Sequence, residues 1–389
     1  MVIEMIYKLQ VMADRFRPRR VMGLYRNKCA PSRGSALVSY MPLPLVGDPA
    51  FFKGHSNVWE SAEVVATFNR LGYRVDLLNW RDASFVPPAV YDIVFDIHGN
   101  LSRYSAPRSS AVFYVTGSNP SFSNRAEQER LDAVARRRGA SLKPRRKIGE
   151  EEIRTFNANL ERADLILLVG NETTAGTFPE HIRRKMRCIC ATGSYLPSLS
   201  APDLRGNGRE FLWFNGQGAV HKGLDLVLEV FARHRDLTLH VVGPYLKEDD
   251  FVSSYRRELT ELPNIRSHGF LYPAGKKFRQ IAARTGFFIS PSCSEGMSTS
   301  AITCMQHGMI PILSANCGIT LPAGVGRVLD TCSVEEIEEA VLSMAALSDG
   351  DRREMMEATG AFAAGSFTRE GYSRTLEDAL AALVRGAGA

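Results

Sequence analysis

The chain has 389 residues, of which 44% are hydrophobic and 23% are charged, a composition typical of globular proteins. The chain is too long for one average domain. Its seven cysteines form no C-x-x-C pair and no run approaches 18 apolar residues, which argues against a disulfide framework, a structural zinc site and a membrane-spanning helix. We therefore expect two domains in a reducing, cytoplasmic setting, without a signal peptide.

The net charge of +6 is concentrated at the N-terminus. Residues 1–33 hold eight basic and two acidic residues, and the remainder of the chain is balanced. Such a basic arm could rest on an anionic membrane surface as a peripheral contact, and a solvated extension without a partner would have the same pattern. Apolar residues recur in it at roughly helical spacing, namely Ile3, Ile6, Leu9, Met12 and Phe16.

A second basic cluster lies at residues 125–154, where ten basic residues are interleaved with six acidic ones. The cluster lacks the spaced aromatic residues on which single-stranded nucleic acids stack. We therefore expect no nucleic-acid partner.

Strand-like apolar runs alternate with helical patterns along the chain, which predicts parallel α/β layers. In the first half a helix is expected over 56–71, with Gly72 closing it. A stretch rich in Pro, Ser and Gly at 197–208 is the predicted linker. The predicted strands of this half are 36–40, 73–78, 93–97, 112–116, 165–169 and 187–191.

The second half restarts the alternation, so each half is expected to be a Rossmann-like, doubly wound sheet. Such sheets bind ligands at the carboxyl ends of their strands, which places the expected site in the cleft between the domains. The predicted strands are 210–214, 237–242, 265–269, 286–290 and 310–313; helices are predicted over 224–231 and 275–283, from 298, and over 352–364 and 368–384.

A glycine-bearing loop follows the first strand of the second half. Gly216 and Gly218 would let backbone N–H groups approach an anion, and Lys222 supplies a positive charge before the next helix. This pattern is typical of a phosphate cradle, although it is neither a P-loop nor G-x-G-x-x-G, and a structural turn would look the same.

Glu295 stands just ahead of a predicted helix N-terminus, in a turn between two strands. The N–H groups of Gly296, Met297, Ser298 and Thr299 would point out of that terminus and could bind an anion. A carboxylate beside such a site is better suited to accept hydrogen bonds from sugar hydroxyls. The alternative interpretation is helix capping by Glu295 or Ser298.

The two segments together resemble the donor half of the family 4 retaining glycosyltransferases, which have the GT-B fold. The resemblance covers about 210–329, and 367–384 is similar to the closing helix that returns to the N-terminal domain in such enzymes. Residues 116–146 and Gly170, Asn171 and Glu172 also resemble a bacterial subgroup of uncharacterised members. The implied divisions are a basic arm 1–33, an acceptor-side domain 34–200, a donor-binding domain 201–366 and a closing helix 367–389.

The resemblance implies a role for each matching residue. The Gly216 loop and Lys222 would hold the diphosphate of a nucleotide-sugar donor, and Glu295 with the N–H groups of Gly296 to Ser298 would contact the transferred sugar. Two positions depart from the family: Gln217 stands where arginine is usual, and Thr303 replaces the second glutamate that clamps the ribose. The nucleobase is expected near His268, Gly269 and Phe270.

His98 follows a strand and resembles the histidine that family members place at the cleft, where it would contact donor or acceptor; a structural imidazole is the alternative. His55, Ser56 and Asn57 begin the first predicted helix, where they could bind either substrate, and N-capping by Ser56 or Asn57 explains them equally well.

No metal cofactor is expected. His221 and His307 have no partners at metal-ligand spacing, and no D-x-D pair stands where a divalent cation would be held. Lys222 and the helix dipole would neutralise the leaving diphosphate instead.

The predicted function is sugar transfer, with retention, from a nucleotide-diphosphate sugar to an acceptor hydroxyl. A glycan or lipid-linked acceptor in polysaccharide or glycolipid synthesis would suit the basic arm. The departures at Gln217 and Thr303 leave open a pseudoenzyme that binds a nucleotide sugar or a partner glycosyltransferase without turnover. A sugar-nucleotide epimerase is a third alternative, although no carboxylate pair is evident for it.

Overall fold

The computed structural model describes residues 20–25, 31–42, 56–82, 84–194 and 207–386. The helical pattern predicted for the N-terminal arm, residue His55 and most of the predicted linker lie outside the described residues.

The first half forms one seven-stranded sheet in the order β1-β3-β2-β4-β5-β6-β7. All neighbouring pairs are parallel except β1 with β3. The strands are β1 Arg20–Leu24, β2 Gly34–Tyr40, β3 Tyr73–Asn79, β4 Ile93–Asp96, β5 Ser110–Val115, β6 Leu165–Val169 and β7 Met186–Ile189.

Strand β1 corrects the expectation that residues 1–33 form a single basic arm. Its residues pair antiparallel with β3, from Arg20 opposite Leu78 to Leu24 opposite Val75. Arg20 also forms an ion pair of 3.0 Å with Asp82. A short edge strand that contains a basic residue and a glycine lacks the continuous apolar run of a buried parallel strand, so its sequence is inconspicuous.

The second half forms a six-stranded, wholly parallel sheet in the order β10-β9-β8-β11-β12-β13. The two sheets confirm the predicted pair of Rossmann-like domains. The strands are β8 Asn207–Phe214, β9 Thr238–Val242, β10 Ile265–Gly269, β11 Thr285–Ser290, β12 Ile310–Ser314 and β13 Arg327–Leu329.

Helices cover both sheets. In the first half they are α1 Ser56–Arg70, α2 Leu101–Tyr104, α3 Pro120–Arg138, α4 Glu150–Arg162, α5 Glu172–Ala175 and α6 Glu180–Arg183. In the second half they are α7 Leu224–Arg233, α8 Asp249–Ser254, α9 Arg256–Thr260, α10 Lys276–Ala282, α11 Thr299–Gln306, α12 Val334–Ala345, α13 Asp349–Ser366 and α14 Arg369–Gly386, with 3₁₀ turns at Pro244–Lys247 and Ala315–Cys317.

The last helix, α14, packs against the first domain. Its Tyr372 hydroxyl donates a hydrogen bond of 3.1 Å to the Tyr114 hydroxyl on β5, and its Glu377 accepts one of 2.7 Å from Arg70 on α1. Leu376 and Leu380 are fully buried in the same contact. The end of the chain therefore joins the two domains.

Helix α3 lies between the two domains. Asn119 caps it by accepting a hydrogen bond from Ser121, Pro120 occupies its first turn, and Gly139 ends it at φ +66°. Its Arg137 forms ion pairs of 2.8 Å with Asp225 and 3.0 Å with Glu229 on α7. The loop after α3 therefore starts beside the second domain.

The turn after β11 touches the first domain directly at Gly296. A Cβ atom at this position would lie 2.4 Å from the carbonyl oxygen of Thr116 and 2.6 Å from that of Val169. The Thr174 hydroxyl donates a hydrogen bond of 2.9 Å to the Gly296 carbonyl. Only glycine allows this approach of the two backbones.

We predict that Gly296→Ala lowers stability by about 1–3 kcal/mol, because the added methyl group must displace backbone carbonyls. Thermal and urea unfolding measure the effect. Gly365→Ala is the control, since a Cβ at that exposed position in α13 meets nothing within 4 Å and should leave stability unchanged or slightly raised. Equal effects of the two substitutions would contradict the close contact.

Candidate functional site

A cavity of about 500 Å³ lies in the cleft between the two sheets. The second domain contributes Asn215, Gly216, Lys222, Glu295 and the start of α11, and the first domain contributes residues that follow its strands. The cavity therefore lies at the carboxyl ends of both sheets, as expected for this architecture.

Lys222 is held in the cavity wall by its backbone. Its N–H donates to the Gly218 carbonyl at 2.8 Å, and its carbonyl accepts a hydrogen bond of 3.0 Å from the Trp213 indole. The next residue, Gly223, adopts φ +72° and packs so closely on Pro291 that a Cβ would lie 2.6 Å from the Pro291 carbonyl oxygen. The turn that carries Lys222 is therefore fixed against the turn that carries Glu295.

Lys222 and Glu295 form a hydrogen-bonded ion pair inside this cavity, with only 8% and 14% of their side chains exposed. Ser292 donates a second hydrogen bond, of 3.0 Å, to the same carboxylate oxygen. Burial alone would raise the pKa of Glu295, but the charge and hydrogen bond of Lys222 outweigh it and the pKa lies below its ordinary value. The two predicted catalytic residues of the second domain are thus in direct contact.

His221, next to Lys222, is buried and structural. Its Nε2 donates to the Ser294 carbonyl at 2.8 Å, so its Nδ1 carries no proton. Burial, and then the Lys222 charge, lower its pKa to about 3. The ring therefore stays neutral and ties the Lys222 turn to the Glu295 turn.

The Gly216 loop differs from the predicted phosphate cradle. The N–H groups of Gly218 and Ala219 donate to the carboxylate of Glu248, at 2.9 and 3.1 Å, and are not available to an anion. A Cβ at Gly216 would meet nothing within 4 Å, and Gln217 is exposed. Only the first part of the loop, at Gly216, therefore remains open to a ligand.

The start of α11 also differs from the predicted anion site. Ser298 donates its N–H to the Cys317 carbonyl at 2.9 Å, and its hydroxyl accepts from Ala301 at 3.3 Å. The capping interpretation is thus confirmed for Ser298. Met297 is buried and its sulfur lies 3.3 Å from the Ala191 nitrogen, whereas Thr299 is exposed and lines the cavity.

Thr303, which stands where the resembling family has a ribose-binding glutamate, is not placed to bind a ribose. Its hydroxyl donates to the Thr299 carbonyl at 2.8 Å and accepts from the Ser194 N–H at 3.0 Å. The side chain is 1% exposed. Thr303 therefore joins the second domain to the first and has no hydrogen left to donate to a ligand.

The predicted nucleobase residues lie at the end of β10. His268 and His240 are hydrogen-bonded at 3.0 Å through their ring nitrogens, and burial lowers the pKa of His268 to about 4. Gly269 adopts φ +64°, and the exposed ring of Phe270 offers a surface for stacking. These three residues do not line the 500 Å³ cavity.

His98 lies in a second cavity, of about 630 Å³, on the side of the first domain. Its ring stacks on Trp80 with 4.4 Å between centroids, and its Nε2 is 3.2 Å from Glu152. Its backbone N–H donates a hydrogen bond of 3.1 Å to the Asp96 carboxylate.

Helix α1 begins at Ser56 as predicted, but the side chains of Ser56 and Asn57 lie outside the described structure.

The 500 Å³ cavity is also lined by residues that were not predicted from the sequence, among them Asn215, Glu60, Tyr40 and Arg146. Asn215 is buried and its side-chain nitrogen has no hydrogen-bond partner among the described residues. Glu60 accepts hydrogen bonds from the hydroxyls of Tyr40 and Tyr114, at 3.3 and 3.1 Å, and both Glu60 and Tyr40 line the cavity. Arg146 enters from the loop after α3. Their contacts link distant parts of the chain, and no local motif marks them.

Within the described residues, no group of three or more His, Cys, Asp or Glu side chains could hold a metal ion. His307 is buried and packs edge-on against Phe278. The six described cysteines are free.

None of the described helices is long and apolar enough to cross a membrane.

Residues 209–346 match the family model described as Glycosyl transferases group 1. This region carries Lys222, Glu295 and the Gly216 loop. Among curated protein sequences, none matches the chain.

Solved structures that match 90% of this chain show its architecture. Sucrose-phosphate synthase from Thermosynechococcus elongatus is 13% identical, with a TM-score of 0.64, over 90% of this chain and 99% of that one. The chain has the GT-B fold. Anabaena HepE in complex with UDP-glucose is 12% identical, with a TM-score of 0.57, over 90% of this chain and 100% of that one.

TarM from S. aureus is also similar in fold, with 9% identity and a TM-score of 0.52 over 75% of this chain. The match covers only 55% of TarM, so this chain spans little more than half the length of that protein.

We predict that His221 makes stability depend on pH. Because its folded pKa of about 3 lies below the ordinary 6.5, its contribution is complete above pH 6.5 and is lost as the pH falls toward 3. The slope should be about 1.4 kcal/mol per pH unit. Urea unfolding between pH 7 and 4 should show a shallower dependence for His221→Gln than for the wild type; parallel curves would contradict the assignment.

Proposed function

We propose that this protein is a retaining, metal-independent glycosyltransferase that transfers a sugar from a nucleotide-diphosphate sugar to an acceptor hydroxyl. The observation that carries the proposal is the buried Lys222–Glu295 pair in the interdomain cavity, inside the region that matches the group 1 glycosyl transferases. The GT-B fold, which the comparisons show over 90% of the chain, supports it.

In the proposed mechanism, the donor diphosphate lies against Gly216 and Lys222. Asn215 supplies a free amide hydrogen to the same region. Glu295 orients Lys222 and accepts hydrogen bonds from hydroxyls of the transferred sugar. Because Glu295 has a lowered pKa, it remains a carboxylate that can do so at neutral pH.

The acceptor hydroxyl then attacks the anomeric carbon on the face from which the diphosphate departs. The bond between the sugar and the phosphate oxygen breaks, the new glycosidic bond forms, and the acceptor proton passes to the leaving phosphate. Lys222 stabilises the negative charge that develops there, the role that a divalent cation would otherwise have. No protein nucleophile is needed.

The second cavity, with His98, is the proposed acceptor site. A glycan or lipid-linked acceptor is proposed, in polysaccharide or glycolipid synthesis, and the basic residues before β1 would hold the enzyme at the cytoplasmic face of a membrane. UDP is the first donor nucleotide to test, since HepE has been solved with UDP-glucose.

We expect one donor in a panel of UDP-, GDP- and ADP-sugars to raise the melting temperature and to release its nucleotide when acceptors are supplied. Lys222→Met should lower the release rate about 10²- to 10³-fold, because it removes charge stabilisation at the leaving group. Glu295→Gln should lower it by a similar factor, because it removes the carboxylate that orients Lys222 and accepts hydrogen bonds from the sugar hydroxyls. Lys276→Met, an exposed lysine on α10, is the matched control and should retain the wild-type rate.

Wild-type rates in either Lys222→Met or Glu295→Gln would contradict the site assignment. Binding of a donor without release, across a range of acceptors, would instead indicate the pseudoenzyme. Loss of activity with EDTA, restored by Mg²⁺ or Mn²⁺, would contradict metal independence.

A further inference from the structure

The second domain gives the proposed donor site no net positive charge. Lys222 is bonded to Glu295, so the pair adds no net charge to the cavity, and Glu60 contributes a second carboxylate to its wall. Gln217, where the resembling family has arginine, is neutral and exposed. A nucleotide diphosphate is an anion whose charge increases at the bond that breaks, so the site needs another cation.

Arg146 is the other basic residue that lines this cavity among the described residues. It belongs to the first domain, in the loop between α3 and α4, and it also lines the second cavity beside His98. Its side chain is exposed. Among the described residues, only its backbone N–H forms a hydrogen bond, and its guanidinium has no hydrogen-bond or ion-pair partner. The charge is therefore available at the junction of the two cavities.

The backbone of Arg146 is anchored although its side chain is open. The N–H groups of Arg145 and Arg146 donate to the buried carboxylate of Glu127, at 2.9 and 3.1 Å. Arg145 forms an ion pair with Asp250 of the second domain. The loop is thus fixed to both domains, which lowers the entropy cost of placing the guanidinium in the cleft.

Arg146 crosses directly over the Gly216 loop. A Cβ at Gly218 would lie 3.0 Å from the Arg146 Cγ, and Gly218 adopts φ +96°, so glycine at this position makes room for the arginine. Beneath it, Glu248 holds the N–H groups of Gly218 and Ala219. Arg146 lines the same cavity as the Lys222–Glu295 ion pair.

We propose that Arg146 supplies, from the opposite domain, the diphosphate-binding positive charge that Gln217 does not supply. The inference rests on the proposed function, because it assumes that a nucleotide diphosphate occupies the cavity. It adds that both domains hold the leaving group.

The test measures binding of UDP, GDP and ADP by calorimetry, and binding of the matching nucleoside by NMR titration. For the diphosphate that the wild type binds, Arg146→Gln should weaken affinity about 10- to 100-fold, the range for one charge-assisted hydrogen bond. Nucleoside binding should stay unchanged. Lys147→Gln, which removes the neighbouring exposed charge, should bind the diphosphate as the wild type does.

Adding Gln217→Arg to Arg146→Gln should recover most of the lost affinity, because it places a cation on the Gly216 loop, over which Arg146 lies in the wild type. Diphosphate affinity of Arg146→Gln within twofold of the wild type would overturn the inference and leave the proposed function standing. An equal loss for nucleoside and diphosphate, or no recovery in the double variant, would also overturn it. A wild type that binds none of the three diphosphates would contradict the proposed function and the inference together.

Discussion

The structure depends on one close approach of backbones, at the turn that carries Glu295. Gly296 lies against the carbonyls of Thr116 and Val169 at the carboxyl ends of two strands of the opposite domain. Because the contact leaves no room for a side chain, it sets the separation of the two sheets at this point. The preceding residue is Glu295, whose position in the cleft follows from that contact.

Buried carboxylates organise the rest of the cleft. Glu127 holds the loop of Arg146, Glu248 holds the loop of Gly218, and Glu295 holds Lys222. Each accepts backbone N–H groups or a cation, as buried charges must. The Glu248 contact occupies the N–H groups of Gly218 and Ala219, so the proposed binding of a diphosphate relies on basic side chains more than on backbone N–H groups.

The alternation of strands and helices was readable because strands covered on both faces are continuous apolar runs. The strand Arg20–Leu24 was not predicted, because it lies at the edge of the sheet, where only one of its sides is paired and no continuous apolar run is needed. Local motifs predicted Lys222 and Glu295 as site residues, and the structure brings the two side chains into contact in the cavity. Other contacts join residues 30 or more positions apart, so no local sequence pattern predicts them. Gly218 bonds to Glu248, Thr303 bonds to Ser194, and Arg146 lines the cavity of the second-domain residues.

A crystal structure of the protein with UDP tests the central claim most directly, namely that the interdomain cavity holds a donor diphosphate between the two domains. The account predicts phosphate oxygens within hydrogen-bonding distance of Lys222 Nζ and Arg146, with Glu295 on the side where the sugar would attach. A nucleotide bound with its phosphates away from Lys222, or seated in the cavity of His98, would contradict it.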